Sequence, residues 1–258
     1  MDMQTISLQT GDGPCSVACF RPEQPGVYPG VVFLIDGFGP RAALFDMAAR
    51  IAKSGYVVAL PDLFHRVGSV LDLLPPGNSP RDVKTLIPMV LGVPEVRTRW
   101  RERFFASASN PAHLETDLGP VLDSLSTRAD VRPGALGAVG YCLGGNLVLR
   151  AAAIFGRRLG AVASFHGSLL ATDAEDSPHL GASQIAARVL VRAASEDVMF
   201  SDAMKSRLAA ALTAAGVTYS IETYPARHGF CVPDLPTYDP VCAERHYAEL
   251  RALFDSAL

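Results

Sequence analysis

No stretch of this 258-residue sequence holds the roughly 18–20 consecutive apolar residues that cross a bilayer. Its 49% of hydrophobic residues are therefore assigned to a protein core. The opening Met-Asp-Met-Gln-Thr lacks a basic start followed by an apolar run, so no signal peptide is read and a cytoplasmic location is expected. Neither sign of charge is in surplus. The 23 Lys and Arg against 26 Asp and Glu leave a net charge of -3, which gives no basis for a nucleic acid or a membrane surface as partner. Cysteine is sparse and odd in number: Cys15, Cys19, Cys142, Cys231 and Cys242 do not make a disulfide framework. Cys15 and Cys19 have no second cysteine pair or nearby His pair, so they are read as structural thiols and no metal site is expected. No low-complexity linker divides the chain, which is read as one α/β domain over 1–258.

What is present is an alternation of strands and helices. Residues 5–20 read as one or two edge strands around a Gly11-Asp12-Gly13 turn. Continuous apolar runs at 30–35, 56–60, 159–165 and 188–193 predict strands of a mostly parallel sheet covered on both faces. A further strand is predicted over 218–224. Helical spacing of apolar residues predicts helices over 40–54, 113–126, 201–215 and 240–257. Residues 65–112, with Pro75, Pro76, Pro80, Pro88, Pro94 and Pro111 among short helical pieces, read as an irregular specificity region above the site. Arg97, Arg99, Arg101 and Arg103 alternate around Trp100 and read as a solvated face. One of these, or Arg66 or Arg81, is the available partner for a substrate carboxylate.

The chain is organised around Leu136 to Arg150, a short apolar run that reaches Cys142 and then turns helical in pattern. A side chain pushed out of a sharp strand-to-helix turn needs tiny neighbours, which Gly140 and Gly144 supply. Cys142 is read as a nucleophile whose thiolate is favoured by the N-terminal end of the following helix. A buried cysteine in a Gly-rich turn would leave the same local pattern. What separates the two readings is whether an acid and a His follow in chain order.

Both follow. Asp197 comes after the next strand but one, in the turn itself, and is preferred over Glu196; helix capping is the competing explanation for it. His228 comes directly after the last predicted strand, where a loop can bring it over Cys142 to share the thiol proton and later protonate the leaving oxygen. His166 ends a strand beside the elbow and is assigned to the pocket wall or to core hydrogen bonding. His65, His113, His179 and His246 read as loop or surface residues. Backbone N–H groups of Leu143 and Gly37 are the expected oxyanion hole. Asp36, Phe38 and Tyr141 join His166 as residues expected around the thiol. Cys231 reads as a pocket-lining thiol or inert filler.

Gly140-Tyr-Cys-Leu-Gly-Gly, Asp197 and His228-Gly229-Phe230, with Tyr238 and the Ala243-Glu-Arg-His helix, resemble the dienelactone hydrolase family across nearly the whole chain. The resemblance implies an α/β-hydrolase fold without a separate lid domain and a Cys-His-Asp triad. It also implies hydrolysis of small esters or lactones, of carboxymethylenebutenolidase type, without metal or organic cofactor, by a monomer or homodimer. Two positions depart from the family. Its best-known members carry Glu, holding the resting thiol, where this chain has Asp36. Members acting on dienelactone carry an arginine shortly after the position of His228, where this chain has Cys231, Val232, Pro233 and Asp234. The altered clamp and Asp36 leave open a catalytically weak ligand-binding or sensing protein on the same fold, and a redox-sensing thiol at Cys142 is a third reading.

Overall fold

Strands whose side chains are buried on both faces need no alternation, and the apolar runs fold accordingly into the middle of one eight-stranded sheet. A computed structural model of the chain describes residues 3–75 and 83–258. The chain opens with an antiparallel hairpin, β1 (Gln4–Thr10) and β2 (Gly13–Phe20), turning at Gly11 and Asp12. β3 (Gly30–Leu34), α1 (Ala42–Lys53) and β4 (Val57–Pro61) form a parallel βαβ unit. Next come the short helices α2 (Val83–Gly92), α3 (Pro94–Trp100) and α4 (Ala106–Ser109), then α5 (Pro111–Ser126). β5 (Leu136–Tyr141), α6 (Leu143–Phe155), β6 (Leu159–Phe165), β7 (Arg188–Glu196), α7 (Asp202–Ala214), β8 (Tyr219–Arg227) and α8 (Pro240–Asp255) complete it.

The strand order is β1-β2-β4-β3-β5-β6-β7-β8, with only β1 and β2 antiparallel to their neighbours. From β3 the chain crosses to β4 on one side, whereas from β5 it crosses to β6 on the other. With right-handed crossovers this places α1 and α6 on opposite faces and makes the β3/β5 boundary a topological switch point. α8 returns to the α1 face, where Tyr56 Oη donates to Asp255 Oδ1 at 2.6 Å and Arg50 pairs with Glu244. α5 and α6 pack together on the other face.

The hairpin, the parallel sheet and the five long helices match the sequence reading, with three differences. The region 65–112 is largely helical where described. Pro94 and Pro111 occupy the first helical position, where a missing N–H costs nothing, and open α3 and α5. A π-type turn, Arg101–Phe105, joins α3 to α4. β7 extends to Glu196 and β8 to Arg227, beyond the predicted ends. Pro225 is tolerated inside β8 because this edge strand pairs only with β7. Pro76, Pro80 and Arg81 lie outside the described residues.

Candidate active site

At the carboxyl end of β5 the backbone turns so sharply that Cys142 adopts φ 54° and ψ -111°, a conformation that costs a non-glycine residue about 1–3 kcal/mol. The neighbouring glycines are dictated by contact. A Cβ on Gly140 would lie 1.9 Å from the Gly144 carbonyl oxygen, and one on Gly144 would lie 2.3 Å from the Leu34 carbonyl oxygen. The elbow is thereby pressed against the end of β3. Its backbone is held on both sides, Cys142 N–H donating to Phe165 O (3.2 Å) and Ser168 N–H to Cys142 O (3.0 Å). Cys142 is the one cysteine of the five that is only partly buried, the other four being buried.

His228 and Asp197 are delivered by strand register. β7 and β8 run parallel with Glu196 opposite Arg227, after an irregularity between Ala194 and Glu196. The next residue on each strand is Asp197 and His228, which therefore emerge side by side. His228 Nδ1 lies 2.8 Å from Asp197 Oδ2, while Asp197 Oδ1 accepts the Met199 N–H at 2.9 Å. The Asp197 side chain is 1% exposed, whereas Glu196 is on the surface. Gly229, at φ +92°, turns the chain away from His228, and Phe230 anchors it in the core against Tyr224.

With Nδ1 committed to Asp197, the other ring nitrogen of His228 serves Cys142. Burial would raise the thiol's pKa, but the charge of His228 and hydrogen bonds from His228 and Ser168 outweigh it, and the net direction is down. Burial likewise opposes the charged form of His228. The Cys142 charge and the hydrogen bond to Asp197 prevail and push His228 up to about 10. Both shifts favour a thiolate–imidazolium pair.

The residues expected around the thiol divide. Asp36 is present and buried, but both its oxygens bind Arg41, at 2.7 and 2.8 Å, and its charge works against the thiolate. Phe38 is half-buried and stacks on Trp100. Tyr141 is a correction. Strand residues alternate in direction, so the neighbour of an outward Cys142 points through the sheet. Tyr141 is fully buried there, its hydroxyl 3.1 Å from His246 Nε2. His246, read as a surface residue, is accordingly core, with burial lowering its pKa to about 3. His166 is also corrected. It is fully buried behind His228, its ring 5.1 Å from that of His228, and neither ring nitrogen has a hydrogen-bond partner among the described residues. Cys231 is buried, and burial holds its thiol well above the usual range, as befits filler.

Other contacts had no sequence signal. Ser168 Oγ lies 3.5 Å from Cys142 Sγ, and its loop is held by Asn146 Nδ2 donating to the Ser168 and Leu169 carbonyls. Arg41 is bidentate to Asp36 and to Asp234, with a further bond to Gly39 O, so its donors are saturated. The arginine candidates that lie among the described residues are engaged or exposed. Arg66 binds Asp12 and Asp117, Arg103 binds Val67 O, and Arg97, Arg99 and Arg101 face solvent.

This arrangement has relatives. The dienelactone hydrolase family model matches residues 16–258. A Synechocystis protein named "Putative carboxymethylenebutenolidase" is 24% identical over 242 residues, 92% of this chain and 90% of its own. Among solved structures, a "Putative Dienelactone Hydrolase" from Klebsiella pneumoniae is similar with a TM-score of 0.81 and 22% identity, covering 98% of both chains. A dienelactone hydrolase-like promiscuous phosphotriesterase from metagenomic libraries is similar with a TM-score of 0.70 and 22% identity, covering 99% of both. The structural likeness carries the α/β-hydrolase fold. The family match spans nearly the whole sequence, and the chain belongs to the dienelactone hydrolase family.

Proposed function

We propose that this family member hydrolyses small neutral carboxylic esters or lactones by acyl transfer through Cys142. The observation that carries the reading is one imidazole, His228, tied to a buried carboxylate at 2.8 Å and coupled to a thiol on a strained strand-to-helix turn. The thiolate sulfur attacks the ester carbonyl carbon, and the carbonyl π pair moves onto oxygen. Leu143, the first residue of α6, has an N–H with no acceptor inside its helix, and it stabilises that oxyanion together with the Gly37 N–H. Collapse breaks the bond to the alkoxide, which takes the proton of His228. Water then gives a proton to His228 as its oxygen attacks the thioester carbon. The second collapse releases the carboxylic acid and restores the thiolate and imidazolium.

A neutral substrate is favoured because Arg41 has no donor to spare and Asp36 and Asp234 surround it. The test is initial hydrolysis of p-nitrophenyl acetate and of a dienelactone by wild type and Cys142→Ala. Loss of both activities in the variant, with the neutral ester preferred by wild type, is the expected result. Turnover of either that survives the substitution overturns Cys142 as nucleophile. Stoichiometric binding without turnover of any ester overturns the hydrolase reading in favour of a ligand-binding protein.

A further inference from the structure

The helical segment over 83–109 reaches the loop after β3 through Trp100. Trp100, the last residue of α3 and the chain's sole tryptophan, donates its indole N–H to the Gly37 carbonyl at 2.6 Å. Its ring also fills the space that any side chain at position 37 would need, since a Cβ there would lie 2.5 Å from indole Cζ2. The other end of the same peptide is fixed as well, because the Phe38 N–H donates to Asp36 Oδ1 at 2.9 Å. The indole itself is steadied by Phe38, stacked with centroids 6.1 Å apart, and by the edge of Phe105 at 5.9 Å. The Gly37–Phe38 peptide is thus clamped at both ends. A glycine is the residue whose dihedral angles most need such a clamp, being free to swing its peptides through conformations closed to others.

We infer that Trp100 is a positioning residue for the oxyanion: by holding the Gly37 carbonyl it restrains the Gly37 dihedral angles and keeps that residue's N–H directed at the developing negative charge. This rests on the acyl-transfer reading above. It also places control of the reacting oxygen in a helical segment 63 residues away in sequence.

Trp100→Phe removes the donor and keeps an apolar ring. A preorganised donor that is allowed to drift loses roughly 10- to 100-fold in rate, so kcat for p-nitrophenyl acetate falls by about that factor, with KM changed less than about 3-fold. Alkylation of Cys142 by iodoacetamide displaces iodide without building an oxyanion. Its rate and pH profile stay at wild-type values if Trp100 acts on the oxyanion loop. Unchanged kcat in a folded variant overturns the inference, as does an equal slowing of alkylation, which would mean that Trp100 acts on the thiol or on the fold. Should the variant fail to fold, wild type itself decides. A trifluoromethyl ketone adds to the Cys142 sulfur, its carbonyl pair moving onto oxygen, and the emission of the sole tryptophan shifts as the adduct forms. No shift on adduct formation overturns the inference. Failure of the underlying reading is seen separately, as wild-type turnover that survives Cys142→Ala.

Discussion

A thiol, an imidazole and a carboxylate are individually ordinary, and what distinguishes Cys142, His228 and Asp197 is the direction in which each moves the next. Asp197 supports the imidazolium, and the imidazolium supports the thiolate. The sign of the pH dependence follows. The thiolate is present above the thiol's lowered pKa and the imidazolium below about 10, so alkylation by iodoacetamide rises with pH through a midpoint below 9. Asp197→Asn removes the charged partner of Nδ1 and shifts that midpoint upward. Because a hydrogen bond to a charged group contributes about 1.5–3 kcal/mol, alkylation at pH 6.5 slows by roughly tenfold or more. A midpoint that stays in place would remove Asp197 from the proposed triad. These three residues could be picked out because each follows a stretch that reads as a strand. Ser168, Arg41 and Trp100 were not. Arg41 meets Asp234 across 193 positions and Trp100 meets Gly37 across 63, and no local pattern records such pairings. Tyr141 was misplaced for a simpler reason. Adjacency in a motif is not adjacency in space on a strand, where neighbours point to opposite faces.

The elbow's geometry belongs to elements rather than to side chains. β5, β3 and α6 meet where Gly140 and Gly144 let backbone lie against backbone, so Gly140→Ala drives a methyl group into the Gly144 carbonyl. Neither side of that contact is the flexible end of a side chain. Overpacking of this kind costs typically 1–3 kcal/mol, and Gly140→Ala is expected near 3 kcal/mol in urea unfolding with esterase activity lost. A stable, active variant would show that the elbow has room to shift. Element boundaries were read well where helices begin after an obvious strand, and less well around prolines. Pro94 and Pro111 start helices, and Pro225 lies in an edge strand, both positions where no hydrogen bond is forgone. His246 was read as a surface residue although it lies on the inner stripe of α8.

At the scale of the molecule, two neutral imidazoles are sealed in the core, and both resist protonation because burial disfavours the charged form. His246 falls from the unfolded value of 6.5 to about 3, so protons bind the unfolded chain first as pH drops. Stability is therefore full above about 6.5 and lost on acidification toward 3. One such proton corresponds to about 1.4 kcal/mol per pH unit, so the unfolding free energy of His246→Phe between pH 4 and 6 should be shallower by about that slope. The variant is also expected to lose about 1–3 kcal/mol throughout, because the Tyr141 hydroxyl is left unpaired. Urea titrations at three pH values check both, and an unchanged slope would mean that His246 is charged in the fold. The saturated Arg41 has a last consequence. Two carboxylates around one guanidinium leave a negative surplus beside the nucleophile, and ester hydrolysis itself generates a carboxylate. On the ester-hydrolase reading proposed above, the site would repel the carboxylate it makes, so the acid would depart readily and adding acetate to the assay should not slow turnover.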